Sequence, residues 1–162
     1  MQVLIMRHGD AVPDAASDAL RPLSARGCNE THQMAAWLNN QAIDIDRVLV
    51  SPYLRARQTL QAVRSTLPLP EEDECLPELT PGGDAKLISY YLQTLAKEGT
   101  GGVLIISHLP LVGYLVASLC PGETAPMFAT SAVACVNLEA ESGVGECHWQ
   151  VSPSQLTIKA SS

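Results

Sequence analysis

The sequence predicts an α/β domain of three layers, with helices on both faces of a mainly parallel central sheet and a C-terminal antiparallel hairpin at one edge. Three observations carry that expectation. Uninterrupted apolar runs of strand length recur at Val3–Met6, Val48–Val50 and Val103–Ile106, and such runs suit strands covered on both sides. Each run meets an abrupt polar cluster and then a turn or helix start, which gives a β-α-β-α-β-α order. Near the C-terminus, Ala132–Leu138 and Glu146–Val151 read as two strands joined by Glu141-Ser142-Gly143-Val144-Gly145, the pattern of a hairpin.

The intervening segments justify the helices in turn. Ser24 is placed to cap a helix over about residues 25–40, and Ser51 followed by Pro52 starts one over about 52–66. Asp84 caps a third over about 85–97. The helix after Pro110, over about 110–119, is apolar nearly all round through Leu111, Val112, Tyr114, Leu115 and Val116, so it is expected to be largely buried. Glu71-Glu72-Asp73-Glu74 reads as a solvated loop, and Gly99-Thr100-Gly101-Gly102, which precedes a strand, reads as a turn.

At 162 residues with 46% hydrophobic content, the chain suits one domain with one sizeable core, spanning residues 1–162. Its net charge of −7 is unevenly spread. Residues 1–64 hold seven Arg and six acids, whereas residues 65–162 hold three Lys and eleven acids, so every arginine lies in the first 64 positions. The planar guanidinium fork suits phosphate and carboxylate, and the clustering points to an anion site. An acidic chain with no basic run would repel a nucleic-acid backbone. No apolar run approaches the length of a spanning helix, and Val3–Met6 meets Arg7 and His8 too early for a signal peptide. Five cysteines without a CxxC pair read as reduced thiols of a cytoplasmic protein.

In open α/β sheets, ligands bind beyond the carboxyl ends of the strands. Arg7, His8, Arg55 and His108 each stand at or just past such an end. Two arginines, two histidines and the amides of helix starts form a donor set with no carboxylate, which matches a phosphoryl group whose charge spreads over three oxygens during transfer. One histidine can attack phosphorus as neutral imidazole while the other donates hydrogen bonds as imidazolium. Neighbouring arginines lower an imidazole pKa, and His8 lies beside Arg7, with Gly9 allowing a sharp turn beneath an anion. His8 is therefore the expected nucleophile and His108 the donor.

Arg7-His8-Gly9 after the first strand, Ser51-Pro52-Tyr53-Leu54-Arg55-Ala56-Arg57-Gln58-Thr59 after the second and Ser107-His108 after a later one resemble the histidine phosphatase superfamily, also called phosphoglycerate mutase-like. Within it, Arg7-His8-Gly9-Asp10-Ala11, Arg21-Pro22-Leu23-Ser24, Leu76-Pro77-Glu78-Leu79-Thr80-Pro81, Ser107-His108-Leu109-Pro110-Leu111-Val112-Gly113 and Cys120-Pro121-Gly122-Glu123 are most similar to the SixA-type phosphohistidine phosphatases. The resemblance implies a phosphoglycerate mutase-like fold. It also implies that His8 forms a phosphohistidine intermediate while Arg7, Arg55 and His108 grip the phosphoryl oxygens. By position, Glu78 would be the general acid, although Pro77 departs from the Leu-Arg-Glu or Leu-Asn-Glu pattern of many relatives. Arg21 would line the groove. No metal or other cofactor is expected, because the arginines supply the positive charge.

Larger superfamily members insert helical lids between the second and third motifs, and here Arg55 and His108 leave little chain for one. An uncapped groove admits phosphohistidine on a folded protein such as a histidine-containing phosphotransfer domain, which would be the substrate of a monomeric enzyme. A small-molecule phosphatase or mutase is the alternative within the same chemistry, and a phosphoprotein-binding module without turnover is the alternative outside it. Cys28 and His32 share a helical face without further ligands, Cys147 and His148 would point to opposite faces of a strand, and Arg57 would turn away from Arg55 toward salt-bridge duty.

Overall fold

The computed structural model describes residues 1–156, so the last six residues of the expected domain lie outside the described region. Six strands form one sheet: β1 (Gln2–Arg7), β2 (Arg47–Val50), β3 (Glu74–Cys75), β4 (Gly102–Ser107), β5 (Val133–Leu138) and β6 (Gly145–Val151). Their order is β3-β2-β4-β1-β5-β6. The first four are mutually parallel, and β5 runs antiparallel to both β1 and β6. This is the α/β sheet with a C-terminal antiparallel pair that the sequence predicts.

Four helices cover it: α1 (Ala25–Asn39), α2 (Leu54–Arg64), α3 (Ala85–Lys97) and α4 (Leu111–Leu119). The period-two side-chain alternation of β1 divides the core between them. Leu4 and Met6 pack with Met34 and Leu38 of α1 and Leu60 and Val63 of α2. Val3 and Ile5 point the other way, into a second cluster with Leu92 of α3 and Val112 and Leu115 of α4. Both faces of β1 and β4 are sealed, which explains why their sequences show no polar alternation.

Helix starts follow the capping residues in two cases and not in a third. Ser24 Oγ accepts the Gly27 N–H, and Asp84 accepts the Leu87 N–H at 3.1 Å. Helix α2, however, begins only at Leu54 with Tyr53 as its cap; Ser51 Oγ accepts the Tyr53 N–H from outside the helix, and Pro52 stays outside it too. α4 is largely buried, as its composition implies, through Leu111, Val112, Leu115, Val116 and Leu119, while Tyr114 is exposed.

The acidic cluster is not a solvated loop throughout. Asp73 accepts from Arg57 and Arg64 of α2, and Glu74 opens β3, paired with Arg47 at 3.1 Å and bonded by the Tyr91 hydroxyl. Arg57 therefore does form a salt bridge. At the other edge, a register shift between Cys135 and Val136 lets Trp149 reach the α1 side, where it meets Trp37 edge-on at 4.9 Å between ring centroids. Cys147, two residues earlier, packs on the opposite face.

Candidate active site

The carboxyl ends of β1, β2 and β4 lie side by side in the sheet, so the residues that follow them converge. The His8 N–H donates to the Ser107 carbonyl at 2.9 Å, and the Ser51 N–H to the Ile106 carbonyl at 3.1 Å. These ladder-end bonds set His8, Ser51 and His108 on one rim. The rings of His8 and His108 stand 4.9 Å apart between centroids.

His8 is held in one orientation. Its Nδ1 donates to the Gly9 carbonyl at 2.7 Å, which places the hydrogen on Nδ1 and the lone pair on Nε2. That Nε2 accepts from Arg55 Nε at 3.3 Å. Burial holds the His8 imidazole down at about 4, helped by Arg55, Arg7 and Arg21 and opposed by the Gly9 bond. Desolvation thus outweighs the neighbouring arginines as the reason His8 is neutral.

His108 is buried, and its Nε2 meets Ser51 Oγ at 2.7 Å. Ser51 Oγ also accepts the Tyr53 N–H, so the hydroxyl ties the start of α2 to the His108 ring. Among the described residues His108 Nδ1 is buried without a hydrogen-bond partner. Burial, with His8 and Arg55 beside it, lowers the His108 pKa to about 3. Burial beside a guanidinium thus works against the imidazolium form expected for His108 in the free protein.

The arginines are positioned by acceptors far off in sequence. Arg7 Nη1 donates to the Phe128 carbonyl at 2.9 Å, and among the described residues its buried Nε has no hydrogen-bond partner. Arg55 lies against the Tyr53 ring at 5.0 Å and is buried. Its Nη1 donates to the Asp18 carbonyl at 2.7 Å and its Nη2 pairs with Asp18 Oδ2 at 3.2 Å. Arg21 reaches the site through the same residue, with Nη1 3.1 Å from Asp18 Oδ1, and its Nε donates to the Val12 carbonyl.

Gly9 serves a purpose other than a sharp turn. Its N–H is taken by Thr59 Oγ1 at 3.0 Å rather than directed at an anion. A Cβ there would come within 2.8 Å of Leu23 Cδ1 and 3.0 Å of the Gly27 carbonyl, so the residue must be small for the strand end to close against α1. Behind it, Ser131 takes a left-handed backbone at φ 63°, donates its N–H to the His8 carbonyl and meets Thr31 Oγ1 at 3.1 Å.

Glu78 stands apart from the four central residues. Its half-buried side chain lines a groove with Leu76, Ile88 and Tyr91, and among the described residues no hydrogen bond joins it to Arg7, His8, Arg55 or His108. Its turn is nevertheless tied to the site, because Ser107 Oγ donates to the Leu79 carbonyl at 2.6 Å. His32, considered beside Cys28, bonds Ser65 Oγ instead. Among the described residues no group of three or more His, Cys, Asp and Glu side chains could hold a metal ion.

Sequence reasoning missed Asp18, Ser51 as the partner of His108, Thr59, Ser131 and the Phe128 carbonyl. Thr59 lay inside the motif already quoted, four residues after Arg55, and helical spacing was the available signal. The others depend on long-range placement.

Known proteins carry the same arrangement of sequence and fold. A phosphohistidine phosphatase SixA from Escherichia coli is 63% identical over 158 residues, covering 98% of each chain. A SixA homolog from Haemophilus influenzae is 40% identical over 126 residues, 74% of this chain and 77% of that one. Among solved structures, the protein histidine phosphatase SixA complexed with tungstate superposes with a TM-score of 0.95 at 62% identity, covering 96% of this chain and 99% of that one. Residues 3–90, which include the His8 and Arg55 motifs, match the family model for branch 1. The strand-end histidines and arginines thus sit in a chain that belongs to the histidine phosphatase superfamily.

Proposed function

We propose that this protein is a phosphohistidine phosphatase that removes the phosphoryl group from a histidine of a phosphotransfer protein through a covalent phospho-His8 intermediate. The observation that carries the reading is the fixed tautomer of His8. With Nδ1 committed to the Gly9 carbonyl, a neutral Nε2 lone pair is presented beside Arg55. Two buried nitrogens without a hydrogen-bond partner among the described residues, Arg7 Nε and His108 Nδ1, belong to the same site, and the Arg7 N–H suits an equatorial oxygen of a phosphoryl group. The similar SixA structure is complexed with tungstate, a tetrahedral oxyanion, which supports the same use of the pocket here.

In the first step His8 Nε2 attacks phosphorus in line as the N–P bond to the substrate imidazole breaks. Arg55 Nε, released from the lone pair it occupies in the free protein, turns its hydrogen to a phosphoryl oxygen. In the second step water attacks phospho-His8, the N–P bond to His8 breaks, and inorganic phosphate leaves. Glu78 is the proposed proton donor to the departing group. Imidazole departs far more readily than an alkoxide, so Glu78→Gln is expected to slow hydrolysis of a phosphate monoester more than that of phosphohistidine. Equal losses on both would remove Glu78 from that role.

A protein substrate is supported by the short connection between the two motifs, which carries only α2, β3, α3 and β4, and by apolar side chains exposed beside the site. Leu20 is 55% exposed two residues past Asp18, and Met127 is 78% exposed next to the Phe128 carbonyl that holds Arg7. A monomeric cytoplasmic enzyme is the proposed setting, in keeping with five unpaired cysteines. His8→Ala is expected to reduce phosphate release from a phosphohistidine protein to background and to abolish acid-labile labelling of the enzyme by 32P substrate. Substantial turnover by that variant would refute the nucleophile and the reading with it.

A further inference from the structure

Asp18 is an acid inside a site otherwise composed of donors. Its side chain is 54% exposed, yet it grips both arginines that flank it: Oδ1 is 3.1 Å from Arg21 Nη1 and Oδ2 is 3.2 Å from Arg55 Nη2. Its backbone carbonyl takes Arg55 Nη1 as well. These contacts occupy the outer edge of the Arg55 guanidinium, while Nε on the inner edge faces the nucleophile. A carboxylate and a bound phosphate would therefore share one guanidinium, separated by little more than its width.

Like charges at that range repel, so the carboxylate opposes phosphate binding even as it aims Arg55. The charge count shows what this achieves. Both histidines are neutral in the free site, so its positive charge comes from Arg7, Arg21 and Arg55. Asp18 offsets one of these three through its ion pairs and Asp10, whose charge acts on Arg7, offsets a second, which leaves a balance of +1 against a phosphate dianion. Asp10 also accepts from the Ser24 hydroxyl at 2.7 Å.

We propose that Asp18 is a positioning residue that sets the affinity of the site for phosphate: it fixes the Arg55 guanidinium toward His8 and weakens the hold on the product so that phosphate departs after each turnover. The arginine pairing keeps the carboxyl below its ordinary range, so the charge is present at neutral pH. This inference rests on the reading of the site as one that releases inorganic phosphate.

The test is direct binding of inorganic phosphate by calorimetry, at fixed ionic strength and pH 7.5, to the wild-type chain, Asp18→Asn and Asp18→Glu. Asparagine keeps the backbone carbonyl and a side-chain oxygen for Arg55 but removes the charge. It is expected to tighten phosphate binding by about tenfold and to show a burst of product before a slower steady state, as release becomes limiting. Glutamate restores the charge and is expected to bring the phosphate affinity back to within about threefold of wild type. Unchanged or weaker phosphate binding by Asp18→Asn, in protein with a wild-type melting curve, would overturn the proposal while leaving the assigned reaction in place. Failure of both the wild-type chain and Asp18→Asn to bind phosphate would overturn both.

Discussion

At the scale of single residues, two buried imidazoles set the pH behaviour of this protein. The ordinary histidine value is 6.5, and in the folded chain His8 lies near 4 and His108 near 3. As pH falls, the unfolded chain takes up protons first. Stability is therefore complete above about 6.5 and is lost as pH drops toward 4, at up to about 1.4 kcal/mol per pH unit for each histidine. Thermal melting should show a falling midpoint between pH 7 and 4.5, and His8 ring resonances followed by NMR should show no titration near 6.5. A midpoint there would mean that the proposed nucleophile is solvated. The positions of His8, Arg7, Arg55 and His108 are legible in the sequence because each follows a strand that announces its own end. Asp18 is not, because nothing local distinguishes it from Asp14; what distinguishes it is the arrival of Arg55 from α2 and its contact with Arg21.

At the scale of elements, the catalytic loop after β1 is clamped between α1 and α2. Ser24 caps α1 and donates to Asp10 Oδ2, and Gly27 in the first turn leaves room for the Asp10 backbone. A Cβ at Gly27 would lie 2.2 Å from the Asp10 carbonyl oxygen. Gly27→Ala should therefore cost about 1–3 kcal/mol of stability, as overpacking does, and lower turnover by displacing Gly9 and His8. Urea denaturation and steady-state kinetics on one preparation would check both parts. On the other side of the sheet, Ser107→Ala would free the Leu79 carbonyl inside the fold and should cost about 1–3 kcal/mol for an unsatisfied buried acceptor. A neutral result would mean that the turn carrying Glu78 is held by packing alone. The capping of α1 and α3 can be read locally because a cap bonds within its own first turn. The second contact of the Ser51 hydroxyl cannot, because it is made to His108, 57 positions away.

At the scale of the whole molecule, the apolar residues exposed near the site bear on what it receives. Met127→Asp and Leu20→Asp should raise KM for a phosphorylated protein severalfold while leaving hydrolysis of a small phosphoramidate within about twofold, since surface changes away from special contacts usually perturb little. Equal effects on both substrates would argue against a protein partner resting there. No helix among the described residues is long and apolar enough to cross a membrane. By itself the sequence determined five of the six described strands, the layer on each side of them, and the four polar residues gathered at one sheet edge. These follow from apolar periodicity and from polar clusters at strand ends, both encoded within a few residues of one another. Only the tertiary structure decided which His8 nitrogen carries the lone pair, that His108 is neutral, and that an aspartate binds both flanking arginines. Those outcomes depend on burial and on partners brought together from distant parts of the chain, and no short stretch of sequence contains them.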